Sequence, residues 1–333
     1  MNQQPRALTD KPADNRVQLW LADINDWPQD ELNTRCAHWL SKPEQTRLQH
    51  FRQPQAAQRF LLGRALLRNV LSQYLNGPGP EELQFITGAQ GKPELHPAHG
   101  SKLSFNLSHS HNMVVLAVAE AVAETKAAET TETGIESIEE EGGEGGVEMV
   151  GVEGMEVEGA GMRGVSGMTK EAQPLLGVDI EWTGKARRID NIARRYFTKH
   201  EHTELFVLPE AEQLGHFYTL WTLKEAYIKA RGLGLGATLC QFTITFNNET
   251  NVATPNNLTP PNNPTLQPTP TTRLIPTALF SPTLPGHSGH WQFWSLQPAA
   301  DYRIGVSIGL NTPDPITLAA PQENTYSKAN FDP

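Results

Sequence analysis

An α+β protein built from two similar halves, each holding a small sheet and one long helix, is what this sequence predicts. Three observations carry that prediction. A strong helical pattern runs from Ala56 to Tyr74, and a second ends on Phe217–Gly232. Short alternating or apolar runs, the signature of strands, stand on both sides of each helix. Between the two sets, residues 120–173 carry fourteen Glu against three Lys or Arg and contain no aromatic residue. Such a tract is too polar and too charged to offset its ordering entropy and is expected to be disordered.

In chain order, residues 1–16 read as a polar tail and residues 17–119 as the N-terminal half. Val17–Ala22 alternates like a strand, and residues 28–52 look helical and polar. In the helix from Ala56, Phe60, Leu61, Ala65, Leu67, Val70 and Leu71 form one broad face, while Arg59, Arg64 and Arg68 read as solvated cations. Leu83–Ile86 is a short strand. Pro93 biases Lys92 toward an extended backbone, and Leu103–Leu107 alternates up to Ser108-His109-Ser110-His111. Met113–Ala119 is a continuous apolar strand suited to burial. After the acidic Gly/Glu-rich insertion, the C-terminal half is expected over 174–312. It holds a strand at Leu175–Trp182, a helical stretch over 185–206, the helix ending at Gly232, and strands at Gln241–Phe246, His290–Leu296 and Tyr302–Ile308. A Pro/Asn/Thr-rich loop over 247–273 interrupts it, and 313–333 reads as a second polar tail.

The formal charge of −10 is misleading, because the acidic tract alone accounts for −11 and the remainder is near neutral at +1. That remainder can hold a basic pocket for a phosphorylated ligand. Cys36 and Cys240 stand far apart outside any CxxC spacing, which argues against a disulfide scaffold or a structural zinc site. The amino terminus lacks an apolar signal region, and no apolar run reaches the length of a membrane span. A cytoplasmic monomer is the expectation, with neither nucleic acid nor membrane as a partner.

The residues that break the helical pattern are the informative ones. In Trp221-Thr-Leu-Lys-Glu-Ala-Tyr-Ile-Lys229, Lys224 falls inside the apolar stripe, while Glu225 and Lys229 lie one turn apart on a shared face. Glu225 and Lys229 alone are equally consistent with a surface ion pair. On the strand Gly177-Val-Asp-Ile-Glu181, Asp179 and Glu181 leave the same face while Val178 and Ile180 point into a core. Two carboxylates on one face either edge the protein in solvent or share a cation. A hard cation such as Mg²⁺ suits oxygen donors, with Glu225 available as a third. Ser108 and His109 point oppositely on a strand end, so they do not form a nucleophile and its base. His109 and His111 lack a third soft ligand nearby.

Taken in order, Gly91-Lys-Pro93, Asn106-Leu-Ser-His-Ser110, Gly177-Val-Asp-Ile-Glu181, Arg195-Tyr-Phe-Thr198 and Trp221-Thr-Leu-Lys-Glu225 with Lys229 resemble the surfactin-synthetase-activating type of 4′-phosphopantetheinyl transferase. The resemblance covers roughly residues 17–119, 175–246 and 274–310. It implies the 4′-phosphopantetheinyl transferase fold, two α+β halves related by a pseudo-two-fold axis with coenzyme A between them. It also implies transfer of the phosphopantetheine arm to a serine of an apo acyl or peptidyl carrier protein, with release of adenosine 3′,5′-bisphosphate. By motif match Asp179, Glu181 and Glu225 hold Mg²⁺, and Glu225 and Lys229 are catalytic. Arg47, Arg59, Lys92, Ser108, His109, Lys224 and Lys229 then bind coenzyme A. The chain departs from the family in the insertion at 120–173 and the long loop at 247–273, neither of which removes a motif residue. A non-catalytic coenzyme A or nucleotide-binding module is the competing reading, and a Mg²⁺-dependent phosphodiesterase a third.

Overall fold

A computed structural model describes residues 16–88, 92–120, 174–184, 188–233, 239–248, 274–280, 290–310 and 319–325. The acidic insertion expected over 120–173 lies outside the described residues except for Glu120, and the loop expected over 247–273 lies outside them except for Asn247 and Asn248; these three belong to strands instead. In the first half, strand β1 (Arg16–Asp23) leads to α1 (Gln29–Cys36), α2 (Lys42–Gln49) and the long α3 (Pro54–Leu75). A short hairpin, β2 (Phe85–Thr87) and β3 (Pro93–Leu95), precedes the strands β4 (Leu103–Ser110) and β5 (Met113–Glu120).

The second half begins with β6 (Leu175–Trp182) and continues through α4 (Ile189–Tyr196) and α5 (Lys199–Val207) into the long α6 (Glu210–Arg231). It closes with β7 (Phe242–Asn248), β8 (Leu274–Phe280), β9 (His290–Leu296), β10 (Tyr302–Leu310) and β11 (Ala319–Thr325). The helical stretches expected over 28–52 and 185–206 are each broken in two. The second break falls at Phe197–Thr198, where Thr198 caps α5 and accepts from the Glu201 N–H at 3.3 Å.

The strands form two principal sheets, β11-β1-β5-β4 and β6-β10-β9. Their facing sides share one apolar layer: Val17, Leu19 and Leu21 with Val115 and Ala117 on one side, Val178, Ile180, Ile304 and Val306 on the other. Helix α3 covers the outer face of the first sheet through Leu62, Leu66 and Val70. Helix α6 covers the second, giving helix, sheet, sheet, helix in section. The described residues all belong to one compact unit.

Two expectations fail here. The C-terminal stretch expected as a polar tail contributes β11, which pairs parallel with β1 and places Gln322 opposite Gln18. And α6 is not a one-sided amphipathic helix: it is enclosed almost all round, from Phe217 to Ala230. Its seat explains why. Thr222, Ala226 and Ala230, spaced by four, rest on Gly305 and Gly177. A Cβ at Gly177 would fall 1.9 Å from the Ala226 carbonyl oxygen, and one at Gly305 would fall 2.3 Å from the Thr222 backbone. Only glycine lets the helix come this close to β6 and β10. Gly232, at φ 60°, ends the helix as the sequence indicates, donating its N–H to the Ile228 and Lys229 carbonyls.

Candidate active site

The close seat of α6 places Glu225 and Lys229 over the inward carboxylates of β6. Lys229 Nζ lies 2.6 Å from Asp179 Oδ1 and donates to Ser108 Oγ at 2.8 Å. The Ser108 hydroxyl in turn donates to Asp179 Oδ1 at 3.0 Å. Glu181 accepts from the Ser110 hydroxyl at 3.1 Å. Glu225 is almost wholly buried, and burial, then the negative charges of Asp179 and Glu181, push its carboxyl up to about 7 against the pull of Lys229.

Asp179 Oδ2 and Glu225 Oε1 are buried without a hydrogen-bond partner. Orphaned buried carboxylate oxygens are costly unless a cation or proton meets them, and oxygen donors of this kind suit a hard divalent cation. Asp179, Glu225 and Glu181 are thus the residues that fit such an ion. Among the described residues no three acidic, His or Cys side chains converge as a ready-made cage. Lys229 and Ser108 hold Asp179 Oδ1, and Ser110 holds Glu181 Oε2.

Lys229 also lines an open cleft of about 300 Å³ between the halves. Its walls carry Arg47, Arg59, Arg64, Lys92 and His109, with Phe60 and Gly63 from α3 and Gly232 and Leu233 from the end of α6. Arg47 and Arg64 both lie over the Phe60 ring, at 5.3 and 5.5 Å from its centroid. Arg59 donates to the His111 carbonyl at 2.5 Å. Lys92 reaches across to the second half and donates to the Leu176 carbonyl at 3.0 Å; burial draws its ammonium down to about 8. Desolvation in the cleft wall, then Arg59 and Lys229, pulls the His109 ring below the usual histidine range. A cleft walled by cations in reduced dielectric attracts phosphate groups strongly.

Lys224 does not join them. Its side chain is wholly buried on the far side of α6, where it pairs with Glu201 at 2.9 Å and donates to the Leu239 and Phe242 carbonyls at 2.8 and 2.5 Å. Its anionic partner is an internal glutamate, and the expectation that it contacts coenzyme A is withdrawn. The helical angle placed it correctly among apolar neighbours; what the sequence hid was a partner 23 positions away.

Arg64 and Arg68 are likewise not the solvated cations expected. Arg68 is buried, donating to Glu44 at 2.7 Å and to the Leu83 and Pro80 carbonyls. Arg64 lines the cleft with Glu44 3.4 Å away, and burial followed by Arg47 and Arg68 lowers its pKa against that partner. Arg64 is the cleft residue that sequence reasoning missed. Its place one turn from Phe60 and Arg68, on the face toward α2, is the signal that was available.

Two family models match the chain. One, described as the 4′-phosphopantetheinyl transferase superfamily, matches residues 175–307; the other, described as the 4′-phosphopantetheinyl transferase N-terminal region, matches residues 25–121. The 4′-phosphopantetheinyl transferase HetI of Nostoc sp. is 28% identical over 222 residues, 66% of this chain and 70% of the relative. The 4′-phosphopantetheinyl transferase Sfp of Bacillus subtilis is 26% identical over 227 residues, 67% of this chain and 74% of the relative. Among the described residues no helix is long and apolar enough to cross a membrane.

Proposed function

The chain belongs to the 4′-phosphopantetheinyl transferase superfamily, as an enzyme of the surfactin-synthetase-activating type, and from that premise we propose that it transfers the 4′-phosphopantetheine arm of coenzyme A to a serine of an apo acyl or peptidyl carrier protein. The serine oxygen forms a new bond to the phosphorus nearer the pantetheine, the bridging P–O bond breaks, and adenosine 3′,5′-bisphosphate leaves. One observation supports this reading above the others: Lys229, paired with the buried Asp179 and one turn from the buried Glu225, lines a cleft walled by Arg47, Arg59, Arg64 and Lys92.

In this reading each residue has a defined task. The cleft cations hold the nucleotide phosphates, and His109 offers a hydrogen-bonding ring among them. Glu225, buried one turn from Lys229 and over the carboxylates of β6, takes the proton of the carrier serine as general base. Lys229 offsets charge on the departing phosphate oxygen. Asp179, Glu181 and Glu225 are the residues that would hold Mg²⁺, which would supply Lewis-acid stabilisation to the pyrophosphate. We place the enzyme in the cytoplasm as a monomer. The competing module that binds coenzyme A without chemistry needs no buried carboxylate beside its phosphate cleft.

Intact mass of candidate apo carriers tests the proposal. The carrier gains the mass of the arm only when the enzyme, coenzyme A and a divalent cation are all present. Gain that persists in excess chelator removes the metal from the proposal; no gain with any carrier, despite tight coenzyme A binding, favours the binding module.

A further inference from the structure

Strand β4 presents Ser104, Asn106, Ser108 and Ser110 on one face, every second residue, opposite Leu103, Phe105 and Leu107 on the other. That polar face is turned toward β6, the strand of the other half that carries Asp179 and Glu181. Ser104 Oγ donates to the Pro174 carbonyl at 2.6 Å, and Asn106 Oδ1 accepts from the Val178 N–H at 2.9 Å. Ser108 Oγ accepts from the Ile180 N–H at 3.4 Å, and Ser110 Oγ accepts from the Trp182 N–H at 3.0 Å. The two strands therefore run parallel in register, joined by side chains of one to backbone of the other.

The two serines do more than stitch. Each hydroxyl has one proton, and each gives it to the carboxylate one residue before the N–H it accepts: Ser108 to Asp179 and Ser110 to Glu181. Ser108 is already engaged by Lys229, so its loss would disturb several groups at once. Ser110 is the cleaner case. It lies outside the cleft lining and fixes the Glu181 side chain relative to its own strand.

We propose that Ser110 is a positioning residue for the divalent-cation site, holding Glu181 in its ligating rotamer by a hydroxyl anchored on the Trp182 N–H. The inference rests on the reading above that Asp179, Glu181 and Glu225 hold the cation. Groups that orient a metal ligand in this way are commonly worth a factor of about ten to a hundred in metal affinity.

The test is Mn²⁺ binding to the full-length protein, followed by electron paramagnetic resonance without coenzyme A or carrier, alongside transfer kinetics. Ser110→Ala is expected to weaken Mn²⁺ binding about tenfold or more. It should raise the Mg²⁺ concentration for half-maximal transfer by a similar factor and leave the KM for coenzyme A unchanged. Ser110→Thr keeps the hydroxyl and should restore both values to within about threefold of the parent protein, which a merely structural role does not predict. A lower melting temperature in Ser110→Ala with unchanged Mn²⁺ affinity overturns the proposal and leaves Ser110 a seam residue only. Mn²⁺ binding that depends on Ser110 in a parent protein unable to modify any carrier sustains the proposal while removing the transfer reading. No Mn²⁺ binding by the parent protein overturns the proposal together with the cation assignment it rests on, and leaves the transfer reading to the carrier-mass experiment.

Discussion

Both halves open a short helix in the same way and use the result differently. Ser41 and Thr198 start α2 and α5, and three residues on Glu44 and Glu201 reach back to accept the N–H of the capping residue, at 2.9 and 2.8 Å. Each glutamate then turns inward to a cation of its half's long helix, Arg68 on α3 and Lys224 on α6. Here the likeness ends. Glu44 stays partly exposed and is shared with Arg64 in the cleft wall. Burial would raise its carboxyl, but the Ser41 N–H and the two arginines hold it below the ordinary range. Glu201 and Lys224 are both sealed at 0% exposure, and Glu201 also takes the Ile244 N–H at 2.8 Å. The same local motif therefore holds positive charge at a binding surface in one half. In the other it anchors, from behind, the helix that carries Glu225.

The comparison can be broken at its sealed end first. Lys224→Met leaves Glu201 buried without its cation and should cost about 3–5 kcal/mol in urea unfolding. The affinity of the remaining folded protein for coenzyme A should not change. A tenfold loss of that affinity at unchanged stability would return Lys224 to the cleft. At the next position of the same helix, Glu225→Gln should leave the fold intact and lower transfer by about a hundredfold or more, as expected when a group matched to transition-state charge is removed. Transfer near the parental rate in that variant would detach Glu225 from the chemistry. The open pair is expected to matter less: Arg68→Met should cost about 1–3 kcal/mol, because Glu44 keeps Arg64 and the Ser41 N–H. A loss equal to that of Lys224→Met would erase the distinction between the halves.

Titration sharpens the contrast further. The Glu225 carboxyl is raised in the folded protein to about 7, above its ordinary 4.5. Its contribution to stability is therefore complete below about pH 4.5 and is lost as pH rises through about 7. The urea midpoint of the metal-free protein should fall between pH 5 and 8, and Glu225→Gln should flatten that fall. Mg²⁺ should raise the midpoint more at pH 8 than at pH 6, since it binds the ionised carboxylate. The smallest effect belongs to Arg47, exposed at the cleft mouth. Arg47→Ala should raise the KM for coenzyme A by about fivefold, less so at high salt, where exposed charge is screened.

These pairs also mark the limit of what could be read along the chain. The strand with Asp179 and Glu181 on one face, the glycine that stops α6 and the one-turn spacing of Glu225 and Lys229 are local patterns, and local patterns are visible in sequence. Lys224 was seen to be out of place among apolar residues, but a lysine names no partner, and Glu201 lies on another helix. Arg68 looked like a surface residue because Glu44, which neutralises it, belongs to α2. Strands β8 and β11 contain Pro276 and Pro321, which argue against a ladder strand. Among the described residues each pairs along one side only, β8 with β7 and β11 with β1, which tolerates a proline. The alternation of β4 is legible in sequence, but what its polar face meets is not: only the fold brings β6 against it.

That last arrangement has a consequence for how the protein avoids sticking to itself. By backbone pairing among the described residues, β6 is the outermost strand of its sheet, with β10 on one side and no further strand on the other. Its sequence, Leu-Leu-Gly-Val-Asp-Ile-Glu-Trp, is rich in the residues that make a bare strand edge adhesive. The N–H groups of Val178, Ile180 and Trp182, which would otherwise invite another chain, are each taken by an oxygen of β4. One half thus chaperones the exposed border of the other, and a C-terminal half made alone would offer that border to its neighbours.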